Sequence, residues 1–98
     1  MIEKYQLEYY RRDNGAVPFR DWLHGLRDLQ AVARVRARLT RLRAGNFGTV
    51  RTLGDGVAEL KIDHGPGYRV YYAMSDKTVV LLLIGGDKAS QKKDIQTA

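Results

Sequence analysis

The sequence predicts a small α+β domain of element order β-α-α-β-β-β-α, in which an antiparallel-rich sheet is covered by a helical hairpin. Three observations predict it. Apolar and polar residues alternate over 2–10, 57–63 and 68–74, the period of half-buried strands. Apolar residues step by three and four between Pro18 and Ala44, the period of helices. The run 79–84 is apolar at every position, which marks a central strand covered on both faces. A three-stranded meander must bury one face, and the helical hairpin is the cover the chain supplies.

Taken in order, Tyr5, Leu7 and Tyr9 alternate with Lys4, Gln6 and Glu8, so 2–10 reads as a strand, expected at a sheet edge. Asp13-Asn14-Gly15 breaks it with a turn. Pro18 opens a helix in its favoured first position, with Phe19, Trp22, Leu23 and Leu26 on one face and a weak point at Gly25. Asp28 is the N-cap expected for a second helix over 29–44, whose stripe at steps of three and four is Leu29, Val32, Val35 or Arg36, Leu39 and Leu42. Gly45 is the residue expected just past its end. Residues 46–56 show no clear period and read as a glycine-punctuated connection. In 57–63, Ala58, Leu60 and Ile62 point one way and Glu59, Lys61 and Asp63 the other. His64 to Gly67 turns the chain into 68–74, where Tyr68, Val70 and Tyr72 oppose Arg69, Tyr71 and Ala73. Residues 75–77 turn again, Gly85-Gly86 is expected to end the apolar strand, and 89–98 reads as a short polar terminal helix.

Ninety-eight residues make one domain, 1–98, with a single core and no room for a separate regulatory unit. Apolar residues are 44% and charged residues 29% of the chain, values of a folded domain and not of a disordered one. The 17 Lys and Arg outnumber the 11 Asp and Glu, a net charge of +6, and 11 of the 17 are Arg. Arginine's planar fork suits phosphates and acidic partners. No acid lies between Gln30 and Asp55, while Arg34, Arg38 and Arg41 share one face of the second helix. Such a face repels itself by a few tenths of a kcal/mol per pair at four-residue spacing. It either meets an anionic partner or is a solvated face whose long stems cover apolar surface. Arg51, in the following connection, extends the same basic run. The chain has no cysteine, so it holds neither disulfide nor thiolate chemistry, as suits a reducing cytoplasm. MIEKYQLEYY lacks the apolar core of a secretion signal, and 79–84 is too short to span a membrane, so a cytoplasmic protein is expected.

The hairpin LGDGVAELKIDHGPGYRVYY, the strand VVLLLIGGDK, the tail SQKKDIQTA and the N-terminal FRDWL together carry a family likeness over nearly the whole chain. It resembles the RelE/ParE superfamily of toxins from type II toxin–antitoxin modules, and within it the HigB-like addiction module killer branch. The resemblance implies a RelE-like fold and an endoribonuclease that cleaves messenger RNA on the translating ribosome. It also implies a cognate antitoxin, often a helix-turn-helix protein. ParE members poison DNA gyrase on the same fold, so the fold alone does not separate these activities, nor does it exclude a non-catalytic nucleic-acid-binding module.

Position by position, the resemblance carries the hairpin arginine onto Arg69, the basic position after the last strand onto Lys88, and a basic position in the preceding strand onto Lys61. Arg69 would grip the scissile phosphate, and the lysines would neutralise or protonate. Sharing a face requires that Lys61 and Arg69 pair directly or at an even offset, and hence an odd-length turn between them. Arg69→Ala is then expected to abolish cleavage and leave the fold intact. His64 is the imidazole near this site and has an intrinsic pKa suited to acid–base work, against which stands its place in a turn. Tyr71, on the face of Arg69, either stacks a base or packs within the sheet. The two histidines are forty residues apart and the acids are scattered, so neither metal nor other cofactor is expected. Superfamily members often use an acid or histidine near the C-terminus, whereas here no His or Tyr follows Tyr72, which leaves the general acid unassigned.

Overall fold

A computed structural model of the chain, describing residues 3–87, lays two helices against one face of a five-stranded sheet. The elements are β1 (Gln6–Tyr9), α1 (Pro18–Gly25), α2 (Leu29–Arg43), β2 (Val50–Gly54), β3 (Val57–Ile62), β4 (Tyr68–Asp76) and β5 (Val79–Asp87). The spatial order is β1-β5-β4-β3-β2, with β1 parallel to β5 and every other pair antiparallel. The α+β class, the edge position of β1 and the interior position of the apolar strand are as the sequence predicts.

Local chemistry accounts for the helices. Pro18 stands at the start of α1. Asp28 caps α2, its Oδ1 accepting from the backbone N–H of Gln30 at 2.9 Å and of Ala31 at 3.3 Å. At the other end Gly45 takes φ +94°, the left-handed conformation that closes a helix without strain. The Lys4 and Tyr5 amides both donate to the Arg43 carbonyl, which ties the start of β1 to the end of α2. The inward stripe is Ala31, Val35, Leu39 and Leu42. Leu29, expected in that stripe, is 79% exposed.

These helix residues meet Leu60, Ile62, Tyr68, Val70, Tyr72, Val80 and Leu82 in one core. The alternation read from 57–63 and 68–74 is therefore correct in phase. Trp22 of α1 lies on Gly85 so closely that a Cβ there would run into the indole. This contact is why a glycine stands in the strand: β5 continues through Gly85-Gly86 to Asp87, and the expected stop at the glycine pair is corrected. Likewise β4 runs through Ser75 and Asp76, and the turn falls on Lys77-Thr78.

The larger correction is β2. Residues 46–56, read as a connection, contain an edge strand that pairs Val50 with Leu60 and Arg51 with Glu59. It presents little apolar surface, so no burial period marks it. A two-residue turn, Asp55-Gly56 with φ +54° and +79°, joins it to β3. The expected terminal helix at 89–98, with Lys88, lies outside the described residues. No helix among the described residues is long and apolar enough to cross a membrane.

Candidate functional site

The end of the β3–β4 hairpin organises the site. Lys61 pairs directly with Arg69 and Ile62 with Tyr68, so five residues turn the chain, an odd number as the shared-face argument requires. Gly65 and Gly67 both take positive φ within this turn, which the sequence GPG accommodates. The turn encloses a shallow cleft of about 400 Å³ lined by Lys61, Asp63, His64, Gly65, Pro66, Gly67 and Arg69. Three of the four expected catalytic residues thus line one cleft, although the His64 ring turns to the helix side, onto Tyr68, and the Lys61–Arg69 pair faces the other way.

Each cleft cation carries an anion. Lys61 Nζ lies 3.6 Å from Asp63 Oδ1, with both side chains well exposed. Arg69 is buried, and its Nε lies 3.4 Å from Glu59 Oε1. The other oxygen of Glu59 takes a hydrogen bond of 3.3 Å from Arg51 Nη2. The buried Glu59 carboxylate thereby separates two arginines that would otherwise repel across the strands. Among the described residues Arg69 Nε and Nη1 make no well-formed hydrogen bond. Its guanidinium lies beneath Gly67, where a side chain would begin only 3.9 Å from Nη1.

His64 is not a loose turn residue. Its Nε2 lies 3.0 Å from Asp28 Oδ2, the oxygen of the α2 cap that the backbone leaves unused. The ring stacks on Tyr68 with centroids 6.5 Å apart and planes 21° apart, and Tyr68 in turn meets Trp22. The hydrogen bond to His64, with those from the Ala31 and Gln30 amides, holds the Asp28 carboxyl below the usual aspartate range.

A second groove, of about 330 Å³, joins the first through Lys61 and Asp63 and runs along α2 past Arg34, Arg38 and Arg41. Arg34 and Arg41 are exposed on it. Arg38 has a different task. Its Nη1 and Nη2 donate to the carbonyls of Phe47 and Thr49 at 2.7 and 3.2 Å, and it lies over Gly48, fixing the loop that leads into β2. Burial and the neighbouring Arg41 lower its pKa from the usual arginine value.

One expected binder is corrected: Tyr71 is fully buried, so its ring is not presented for base stacking and the packing alternative holds. Arg51 is largely exposed and pairs with Glu59. Arg69→Ala is also not the clean substitution expected, because it would break a buried ion pair. The residues missed by the sequence reading are Asp28, Glu59 and Asp63. Asp28 was visible as a cap, but its bond to His64 spans 36 positions and belongs to the tertiary fold.

Comparison with known proteins places these features in a family. The model of the family described as phage derived protein Gp49-like (DUF891) matches residues 21–98 and so takes in most of α1, all of α2, the cleft hairpin and β5. An uncharacterized protein of Haemophilus influenzae is 49% identical over 80 residues, covering 82% of this chain and 81% of that protein. With its cleft hairpin, α2 and most of α1 inside the match, the chain belongs to the Gp49-like phage-derived family, a family associated with toxin–antitoxin modules.

Proposed function

We propose that this protein is the toxin of a type II toxin–antitoxin module of RelE/ParE type. In this reading it is a metal-independent endoribonuclease that cleaves messenger RNA on the ribosome and so stops translation in the cytoplasm. A cognate antitoxin of helix-turn-helix type holds it inactive. The observation that carries the reading is the convergence of Lys61, His64 and Arg69 on one cleft that opens into a groove lined by Arg34 and Arg41. A single-stranded RNA needs both parts: a basic track for its backbone and a place where one phosphate meets cations and a proton acceptor. Arg69, buried and held by Glu59 behind the turn, supplies positive charge at the floor of the cleft, and the exposed Lys61 neutralises the charge that develops there. Lys88 is assigned a supporting cationic role by the family likeness alone.

The test is inducible expression without the antitoxin, followed by mapping of transcripts and of macromolecular synthesis. The expected result is growth arrest with cut messengers and early loss of protein synthesis. Lys61→Ala, at an exposed position, should remove cleavage without lowering the melting temperature. DNA damage with intact transcripts would transfer the chain to the gyrase-inhibiting class, and normal growth would reject a toxin of either kind.

A further inference from the structure

We propose that Asp63 is the proton acceptor of the cleft and works as a couple with Lys61; the inference rests on the ribonuclease reading above. From the end of β3 into the turn, successive side chains take opposite sides. Ile62 belongs to the core, and the His64 ring bonds Asp28 at 3.0 Å and stacks on Tyr68, so both lie on the helix side. Lys61 and Asp63 take the other side, with Lys61 paired to Arg69 and its Nζ 3.6 Å from Asp63 Oδ1. The two neighbours of Asp63 thereby hold it from behind. The His64 N–H donates to the Ile62 carbonyl at 3.1 Å, a three-residue turn centred on Asp63, and the Gly67 N–H donates to the His64 carbonyl at 3.0 Å. In front, the Asp63 side chain is 86% exposed. An ion pair so exposed adds little to stability, so packing does not account for it. Among the described residues lining the cleft, Lys61 and Arg69 only donate hydrogen bonds and the His64 ring lies on the far side, which leaves Asp63 as the acceptor beside them. Asp63 also lines the groove along α2, so it stands where a strand leaving the arginine track reaches the cleft.

The step balances without a co-reactant. A carboxylate oxygen of Asp63 takes the proton of a ribose 2′-hydroxyl as O2′ bonds to phosphorus and the P–O5′ bond breaks. The leaving O5′ takes a proton from the Lys61 ammonium. The products are a 2′,3′-cyclic phosphate and a 5′-hydroxyl. Asp63 is left as the neutral acid beside a neutral Lys61 amine, and one proton passed from the first to the second restores both. The contact between the two side chains is thus the route by which the couple resets. Arg69, buried at the floor, exchanges no proton and supplies charge only.

Asp63→Asn keeps the size of the side chain and removes the proton acceptor. The experiment uses the full chain with ribosomes programmed with messenger RNA, under single-turnover conditions. Asp63→Asn should melt with wild type and bind RNA at least as tightly, because one negative charge leaves both grooves, while cutting about 10²- to 10⁴-fold more slowly. Asp63→Glu keeps a carboxylate and should recover part of that loss. A messenger with sulfur in place of O5′ at the mapped cut site separates the two roles, because a thiolate leaves without being protonated. The sulfur should restore much of the rate of Lys61→Ala and little of the rate of Asp63→Asn. An Asp63→Asn protein that cuts the ordinary messenger at the wild-type rate, or whose loss the sulfur restores, overturns the proton-acceptor role while leaving the ribonuclease reading in place. A wild-type protein that cuts no messenger overturns both.

Discussion

Replacing Glu59 with glutamine removes one negative charge from between two arginines and leaves the shape of the side chain almost unchanged. The consequence depends on where each arginine lies. The side chains of Glu59 and Arg69 are 6% and 9% exposed, whereas that of Arg51 is 60% exposed. Without the carboxylate, the Arg69 guanidinium stays out of water with no charge beside its Nε, a loss of about 3–5 kcal/mol for a broken buried pair. The Arg51 pair is wet on one side and contributes at most about 1 kcal/mol. A domain of this size loses about 4–8 °C of melting temperature per kcal/mol, so Glu59→Gln should melt roughly 12 °C or more below wild type. Arg51→Ala should melt no more than about 8 °C lower. Thermal unfolding followed by circular dichroism measures both. Adding Arg69→Met to Glu59→Gln removes the stranded charge, so the double variant should be less destabilised than the sum of its parts. A Glu59→Gln protein that melts within about 2 °C of wild type, or a strictly additive double variant, would refute the buried-clasp argument.

Gly85→Ala places a methyl where the Trp22 indole lies and should cost about 1–3 kcal/mol by overpacking; unchanged thermal unfolding would mean that the indole does not rest on that glycine. The pKa of Asp28 is lowered in the fold, so its contribution to stability is present above the ordinary aspartate range and is lost as pH falls through its folded value. Asp28→Asn should accordingly be less stable than wild type near neutrality, and melting curves taken down a pH series should converge in acid; a gap that persists there would contradict the assignment. Arg34→Gln and Arg41→Gln should each weaken binding to single-stranded RNA of any sequence and reduce the salt slope by about 0.7, measured by titration at several salt concentrations. Arg38→Gln should instead lower the melting temperature, because it releases the Phe47 and Thr49 carbonyls.

What the sequence disclosed follows from the range over which each signal acts. Strand phase in 57–63 and 68–74 is a property of neighbouring residues, and so is the cap at Asp28; both were legible. The odd-length turn followed from one requirement, that Lys61 and Arg69 share a face. Gly85 misled because a glycine is read locally as a break, whereas its reason is a tryptophan 63 positions earlier in the chain. Edge strand β2 was missed because a strand wet on most of its length carries no burial period; the Asp55-Gly56 pair was the available sign of its hairpin. Tyr71 alternates in phase with Arg69 and was legible as to face, but the face opposite the helices is itself buried at that point, which no period reveals.

The arrangement of charge separates two tasks that composition lumps together. Lys61, His64 and Arg69 each have a carboxylate partner at 3.0 to 3.6 Å, so the cleft carries little net charge for its number of cations. Groups held this way are costly as mere attractors, since each anion cancels much of the pull on a phosphate; what the carboxylates provide is fixed geometry. Arg34 and Arg41 are arranged in the opposite sense. The ion pairs among the described residues include neither of them, and both line the groove that begins at Lys61. On the proposed function, long-range attraction of a polyanion would fall to α2 and orientation of one phosphate to the hairpin. On this division, substitutions on α2 should alter binding and its salt dependence with the cleavage step unchanged. Substitutions at Glu59 should alter the cleavage step with binding nearly unchanged. The two grooves share Lys61 and Asp63, so these are the positions where a single substitution should affect both.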